Sequence, residues 1–271
     1  MRSSPKQSTI ITLLTDFGVD DAYVGLMKGV ILGINPEARL VDLTHSIPPQ
    51  DVTRAALMLR SAVDFFPPGT VHVTVVDPGV GSARRPLLLS SGGACFVGPD
   101  NGVLPPAARR IGTPKGYVLE NDRYFHPPVS QAFHGRDIFA PVAAHLSLGV
   151  EPADVGPQTD SFVDLDLPQA KLSAGGVSGQ VIYVDHFGNL VTNIDRTTLD
   201  RFPASTLSVS IGSMAVIGLV SSYAAVDEGT PLALIGSWGV LEIAIRNGNA
   251  ARELRAKPGT PVIVAKRDSN A

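Results

Sequence analysis

IITLLTDFGVDDAYVGLMKGVILGINPEARLVDLT, residues 10–44, decides the fold. Its opening apolar run, Ile10 to Thr15, has strand length and stops at Asp16. Asp21 to Ile34 then repeats apolar side chains at helical spacing until Asn35-Pro36 ends it, and Arg39 to Leu43 supplies a second strand. Further along, Val52 to Phe66 reads as a helix, Pro67-Pro68-Gly69 as punctuation and Val71 to Val76 as a third strand. This βαβαβ alternation predicts an α/β fold with a mostly parallel sheet covered by helices. Leu87 to Ser90, Cys95 to Val97 and Tyr117 to Leu119 read as shorter strands, and Ile138 to Leu148 as a helix closed by Gly149.

The pattern changes in the second half. Residues 166–178 lack a sustained period and carry Pro and paired Gly, as a linker would. From Gly179 onward short β-branched runs dominate: Val181 to Val184, Leu207 to Ile211, Met214 to Leu219, Pro231 to Ile235, Leu241 to Ile245 and Pro261 to Ala265. The expected organisation is an N-terminal α/β domain over residues 1–165, a linker, and a small C-terminal antiparallel β-barrel over residues 179–271.

Composition excludes several classes of function. With 44% hydrophobic residues, 17% charged residues and a net charge of -3, the chain is neither disordered nor polyionic. Nucleic acid is not an expected partner, because phosphate neutralisation wants a basic patch. The lone Cys95 has no cysteine to pair with, and MRSSPKQS carries no apolar signal core. No apolar run reaches the ~18 residues of a membrane span, so the expected location is cytoplasmic, with no membrane partner.

Two polar islands stand out: Asp77 and Arg84 in VTVVDPGVGSARR, and His134 in FHGRDIFAP. An apolar run that stops at Asp-Pro-Gly delivers a carboxylate to the carboxyl end of a buried strand, where open α/β sheets keep their ligand sites. Residue type alone leaves structural alternatives. Asp77 suits an Asx turn, His134 a helix cap, Arg85 competes with Arg84, and Asp100-Asn101 suits a turn. Arg136 and Asp137 suit a structural pair, and Trp238 a core position. Neither GxGxxG opening a helix nor GxxxxGK[ST] occurs, and the six histidines include no HxxxH or HxH pair. A metallohydrolase built on Asp16, Asp77 and His134 is an alternative by residue type, though no metal is expected.

Seven segments carry a resemblance: LLTDFGVDDAYVGLMKG, VDLTHSIPPQD, VVDPGVGSARR, VGPDNG, FHGRDIFAP, VDHFGNLVTNI and GSWGVLEIAIRNGNAA. With these motifs in order across about residues 10 to 265, the chain resembles the S-adenosylmethionine (SAM) hydroxide adenosyltransferases, relatives of the SAM-dependent fluorinases and chlorinases. The resemblance implies an α/β domain joined to a β-barrel, and a homotrimer with sites between one subunit's N-terminal domain and a neighbour's C-terminal domain. The implied reaction turns SAM and water into adenosine and methionine, with no cofactor. The implied water-handling residues are Asp77, Arg84 and His134. Substrate contacts fall on Asp16 for the ribose hydroxyls and on Asp185, Phe187, Asn189, Ser237, Glu242 and Ala250 for the adenosine and methionine portions. On residue type Asp16 would also cap a strand end, and Glu242 would also suit a strand surface.

The reaction explains the need for such residues. Attack at the ribose 5′ carbon expels a neutral thioether, so the leaving group needs no acid. Water, with a pKa of about 15.7, must be oriented and relieved of its proton. Whether Asp77 or His134 takes that proton is open at this level. In the halogenating relatives a small residue, often serine, stands where this chain has Gly135, and the fluorinating ones carry tyrosine in place of Asp77. A carboxylate there repels a halide and favours neutral water. A SAM or adenosine sensor without turnover is the alternative of another class, and a chloride-using halogenase is the other.

Overall fold

The computed structural model describes residues 9–266. Two compact units divide the chain, Met1–Asp166 and Leu167–Ala271. The first runs β1 (Ile10–Thr15), α1 (Tyr23–Ile34), β2 (Arg39–Thr44), α2 (Val52–Ala62), β3 (Val71–Val75), β4 (Pro86–Ser91) and β5 (Ala94–Pro99). It continues with α3 (Pro105–Ile111), β6 (Lys115–Val118), α4 (Ala140–Ser147) and β7 (Gln158–Thr159).

Seven strands form one sheet in the order β2-β1-β3-β5-β4-β6-β7. Pairing is parallel through β2, β1, β3 and β5, then antiparallel across β5-β4, β4-β6 and β6-β7. The parallel half is the one the βαβαβ alternation pointed to. The antiparallel half arises because β4 and β5 are joined by the tight Gly92-Gly93 turn, which leaves no room for a crossover.

Side-chain alternation splits the core into two layers. Ile11 and Leu13 of β1 pack with Met27 and Ile31 of α1 and with Ala140 and Ala143 of α4. Leu14 points to the other face, with Ala55, Ala56 and Leu59 of α2 and Ala107 and Ala108 of α3. Helix α2 starts where the Asp51 side chain accepts from Arg54 N–H at 2.9 Å, and its buried positions recur at helical spacing. The expected run to Phe66 is α-helical only to Ala62 and ends in a 3₁₀ turn, Val63–Phe65. Helix α3 escaped the sequence reading because seven residues opening on Pro-Pro are too short to show a period.

The second unit contains β8 (Lys171–Ser173), β9 (Gly176–Val184), β10 (Leu190–Asp195), α5 (Arg196–Leu199), β11 (Leu207–Ile211) and β12 (Met214–Ile217). β13 (Pro231–Ile235), β14 (Val240–Ile245), α6 (Ala250–Glu253) and β15 (Pro261–Lys266) complete it. All its pairings are antiparallel, in the order β12-β11-β15-β9-β10-β14-β13, with β8 on β9. Val220 N–H, just past β12, donates to Ala233 of β13 at 2.9 Å and draws the two ends of the sheet together as a nearly closed barrel. The span expected as a linker is not irregular throughout: residues 171–173 and 176–178 pair as a hairpin. Its alternation is invisible in sequence because Lys171 to Ser173 is exposed and too short.

A histidine sits in the core of the first unit. His72 on β3 is 1% exposed, 2.8 Å from the Thr12 hydroxyl through Nδ1 and stacked on Phe96 with ring centres 5.0 Å apart. Burial pushes its imidazole down to about 4, so the folded protein holds it neutral. Between that value and about 6.5 the unfolded chain binds a proton that the folded one refuses, so stability is lost as pH falls through this window, by up to about 3 kcal/mol. Thermal unfolding followed from pH 7 to pH 4 should therefore show a falling midpoint, and His72→Phe should flatten the fall; an equally steep variant would refute the assignment.

Candidate active site

The strand order β2-β1-β3 makes the chain leave β1 and β3 in opposite directions at their carboxyl ends, which opens a crevice between them. A cleft of about 410 Å³ lies there, and Asp16, Asp77 and His134 line it. Asp16 follows directly on β1 and Asp77 comes two residues after β3. His134 precedes a single wide π turn, Gly135–Phe139, that leads into α4. Such widened turns recur at functional sites.

The segment from Asp77 to Arg84 doubles back on itself. Val80 N–H donates to Asp77 O at 3.2 Å, Ser82 N–H to Gly79 O at 3.1 Å, and the Ser82 hydroxyl to Gly79 O at 2.6 Å. Gly81 lies at φ 75, and a Cβ there would meet Gln131 O at 2.6 Å, so glycine is required. This curl returns Arg84 to Asp77: Nε donates to Oδ1 at 3.1 Å and Nη2 to Oδ2 at 2.5 Å. Nη2 also lies 2.9 Å from His134 Nδ1, and the guanidinium sits 5.5 Å from the centre of the Phe139 ring. The Asp77 and Arg84 side chains are only 5% and 7% exposed.

Electrostatics follow from that burial. Burial pushes the Asp77 carboxyl above the usual carboxylate value, with the charge and hydrogen bonds of Arg84 opposing the shift. Burial, and then the Arg84 charge, pushes His134 below the usual imidazole value. An arginine has no acceptor, so Nδ1 of His134 must present its lone pair, and the neutral ring carries its proton on Nε2.

Arg84 and Arg85, indistinguishable by type, part here. Arg85 pairs with the buried Asp100 at 2.6 Å, while Asp100 also accepts from Val163 N–H at 2.7 Å. Asn101 donates to Val76 O at 2.8 Å, so Asp100-Asn101 ties segments together. Arg136 and Asp137 form the expected pair, with Asp137 fully buried and accepting from Ser130 N–H at 2.8 Å. His134 occupies the N-cap position of the turn, but its side chain makes no capping bond and turns to Arg84 instead.

Asp16 accepts from Gln50 N–H through Oδ2 at 2.8 Å, which leaves Oδ1 available. Phe17, Tyr23 and Phe133 form a mutually tilted aromatic wall, with ring centres 5.3–5.8 Å apart. Gln50 and this wall were not anticipated as site residues. The signal was present in TDFG and in FHGRD, where an aromatic residue adjoins each polar candidate.

In the second unit, Asp185 organises the β9–β10 turn, accepting from Phe187 N–H at 2.9 Å and from Asn189 N–H and Nδ2 at 2.8 and 3.0 Å. Gly188 lies at φ 86 and abuts Asn249, the cap of α6, so the turn docks on the start of that helix. Phe187 stands 73% exposed and Ser237 is exposed, whereas the Ala250 side chain is buried in the barrel core. Glu242 is not the strand-surface charge its type allowed. It is 6% exposed, accepts a short hydrogen bond from Tyr223 and is pushed up by burial, with Asp185 adding to the shift. Trp238 stacks on Tyr183 at 5.1 Å. Among the described residues, no three His, Cys, Asp or Glu side chains converge as a metal-binding group.

A curated (R)-S-adenosyl-L-methionine hydrolase from Salinispora tropica is 39% identical over 252 residues, 92% of this chain and 95% of its own. A fluorinase from an Actinoplanes species is 30% identical over 290 residues, 95% of this chain and 97% of its own. The crystal structure of an uncharacterized conserved protein from Thermotoga maritima superposes with a TM-score of 0.88 at 37% identity, covering 94% of this chain and all of the other. The models for the SAM hydroxide adenosyltransferase N-terminal and C-terminal domains match residues 11–156 and 179–263. With both halves of that family matched in order, the chain belongs to the SAM hydroxide adenosyltransferases.

Proposed function

We propose that the protein hydrolyses SAM to adenosine and L-methionine, with water attacking the ribose C5′ opposite the C–S bond. The observation that carries this reading is the Asp77–Arg84–His134 cluster, of which Asp77 and His134 line the cleft at the β1/β3 crevice. As the O–C5′ bond forms, the C–S electron pair goes to sulfur, which becomes a neutral thioether, and the water proton must go to a protein base. His134 is poorly placed to take it, because its free lone pair already accepts from Arg84. Asp77 keeps lone pairs beyond those Arg84 occupies, so the proton goes to Asp77 while His134 Nε2–H donates to orient the oxygen. Arg84 locks both partners, and such positioning contributes about 7–11 kcal/mol when reactants are held in line.

Asp16 Oδ1 is the proposed acceptor for the vicinal ribose hydroxyls. Asp185, Phe187, Asn189, Ser237, Glu242 and the backbone at Ala250 are the proposed contacts of the adenosine and methionine portions, with Phe187 stacking on adenine. A homotrimer is the proposed assembly, one subunit's first unit meeting a neighbour's second unit. The uncovered Phe187 supports it, as do Val19, Tyr23 and Leu26, which leave apolar side chains exposed on and beside α1. Among the described residues no helix is long and apolar enough to cross a membrane. A halide is disfavoured as nucleophile by the Asp77 carboxylate.

Incubation with SAM in ¹⁸O-water should place the label on the adenosine 5′ oxygen. Asp77→Asn should lose about 10²–10⁴-fold in kcat while still binding SAM; unlabelled adenosine, or full turnover by the variant, would remove the proposed chemistry. Acidification acts on both groups in the same direction, protonating Asp77 and charging His134. kcat/KM should therefore fall on the acid side with a midpoint above the usual carboxylate value, and His134→Gln should retain that limb. Sedimentation of the purified protein should give three chains per particle; a monomer with full activity would overturn the shared site.

A further inference from the structure

His45 is buried where the ends of β1 and β2 meet, 7% exposed, and the proposed chemistry does not use it. The register between these strands slips: Leu13 pairs with Asp42 but Leu14 with Thr44. An extra residue of this kind re-aims the end of a strand. Beyond it the His45 ring reaches across to β1, with Nδ1 2.9 Å from the Thr15 hydroxyl. On its other side Nε2 is 3.0 Å from Asp42 Oδ1, and Asp42 Oδ2 accepts from Lys28 Nζ at 2.6 Å.

The partners place the protons. Asp42 Oδ1 can only accept, so the neutral ring carries its proton on Nε2, and Nδ1 accepts from the Thr15 hydroxyl, which itself accepts from Phe17 N–H at 3.2 Å. The Nε2–Asp42 approach is a charge contact without hydrogen-bond alignment, so Thr15 supplies the one aligned hydrogen bond to the ring. The His45 carbonyl accepts from Gly18 N–H at 2.8 Å, and Gln50 N–H donates to Asp16 Oδ2 at 2.8 Å. Asp16 and Phe17 are thus held from both sides by the segment 45–50. Gln50 itself lies at φ 67, a backbone conformation that a side-chain-bearing residue keeps only where its surroundings impose it.

We propose that His45 is a positioning residue for sugar recognition: through Thr15 and Gly18 it fixes the loop that aims the Asp16 carboxylate at vicinal ribose hydroxyls, with Asp42 and Lys28 steadying the ring. This rests on the assignment of Asp16 as the ribose clamp. His45 does not touch the reacting atoms, so its loss acts on binding and not on the chemical step.

Calorimetric titration with adenosine and with 2′,3′-dideoxyadenosine, alongside SAM turnover, tests it on the wild type, His45→Ala, His45→Asn and Asp42→Asn. His45→Ala should weaken adenosine binding about three- to tenfold, the scale of one lost hydrogen bond. It should leave dideoxyadenosine binding unchanged and raise KM with kcat nearly constant. His45→Asn, whose amide oxygen accepts from Thr15, should recover most of the loss. Asp42→Asn, on the exposed side of the ring, should repeat it more weakly and carries the test should His45→Ala fail to fold. Equal weakening of both nucleosides, or a fall in kcat at constant KM, would overturn the proposal. Wild-type protein that binds both nucleosides equally removes the Asp16 clamp and this inference with it, whereas a wild-type preference for adenosine that persists in His45→Ala removes His45 alone.

Discussion

The parallel pairing of β1 with β3 is the constraint on which the rest of this protein depends. Register sets Ile11 against Val71 and Thr15 against Val75, so both strands end at the same level and in the same sense. Their carboxyl ends then release Asp16 and Asp77 on the same side of the sheet, and the chain departs from them in opposite directions. A one-residue slip would turn Ile11 and Leu13 out of the α1–α4 layer, so burial of the core also holds the two carboxylates in place. The crevice is a by-product of closing the hydrophobic layers, which is why the site needs no scaffold of its own.

Within that crevice, charge is concentrated where water is scarce. Asp77 and Arg84 are both nearly inaccessible, and removing one partner of such a pair leaves the other uncompensated at a cost of about 3–5 kcal/mol. That penalty keeps the contact closed and fixes the orientation of the carboxylate. The same guanidinium occupies the His134 Nδ1 lone pair, so a single arginine sets the direction of one group and the tautomer of the other. A carboxyl that is buried, opposed by one cation and raised above its usual value has the properties the proposed base requires.

Much of this was legible in the chain itself. Asp16 and Asp77, each stopping an apolar run, announced the ends of buried strands, because an apolar run cannot deliver a carboxylate into a core. Asp21 to Ile34 reads as a helix because its apolar residues recur at 3.6 spacing, and the helix begins two residues later, at Tyr23, past the Asp20-Asp21 pair. Other features were hidden for definable reasons. The hairpin at 171–178 has too few buried positions to alternate visibly, and α3 is too short for a period. The burial of Glu242 could not be inferred, because its hydrogen-bond partner Tyr223 lies 19 residues away in a 3₁₀ turn that only folding brings to β14.

Sequence by itself determined the order of elements, the apolar faces, the glycines that allow the Asp77–Arg84 curl and the inventory of reactive groups. These follow from local sterics and from the periodic placement of apolar side chains, which are properties of neighbouring residues. Only the tertiary structure decided that Arg84 and not Arg85 meets Asp77, that His134 offers its Nδ1 lone pair, and that His45 locks to Thr15. Each of these is a contact between segments brought together by packing, spanning up to 50 residues in the case of Arg84 and His134. Hydrogen-bond direction and desolvation exist only once that packing has excluded water, so no reading of residue type can supply them.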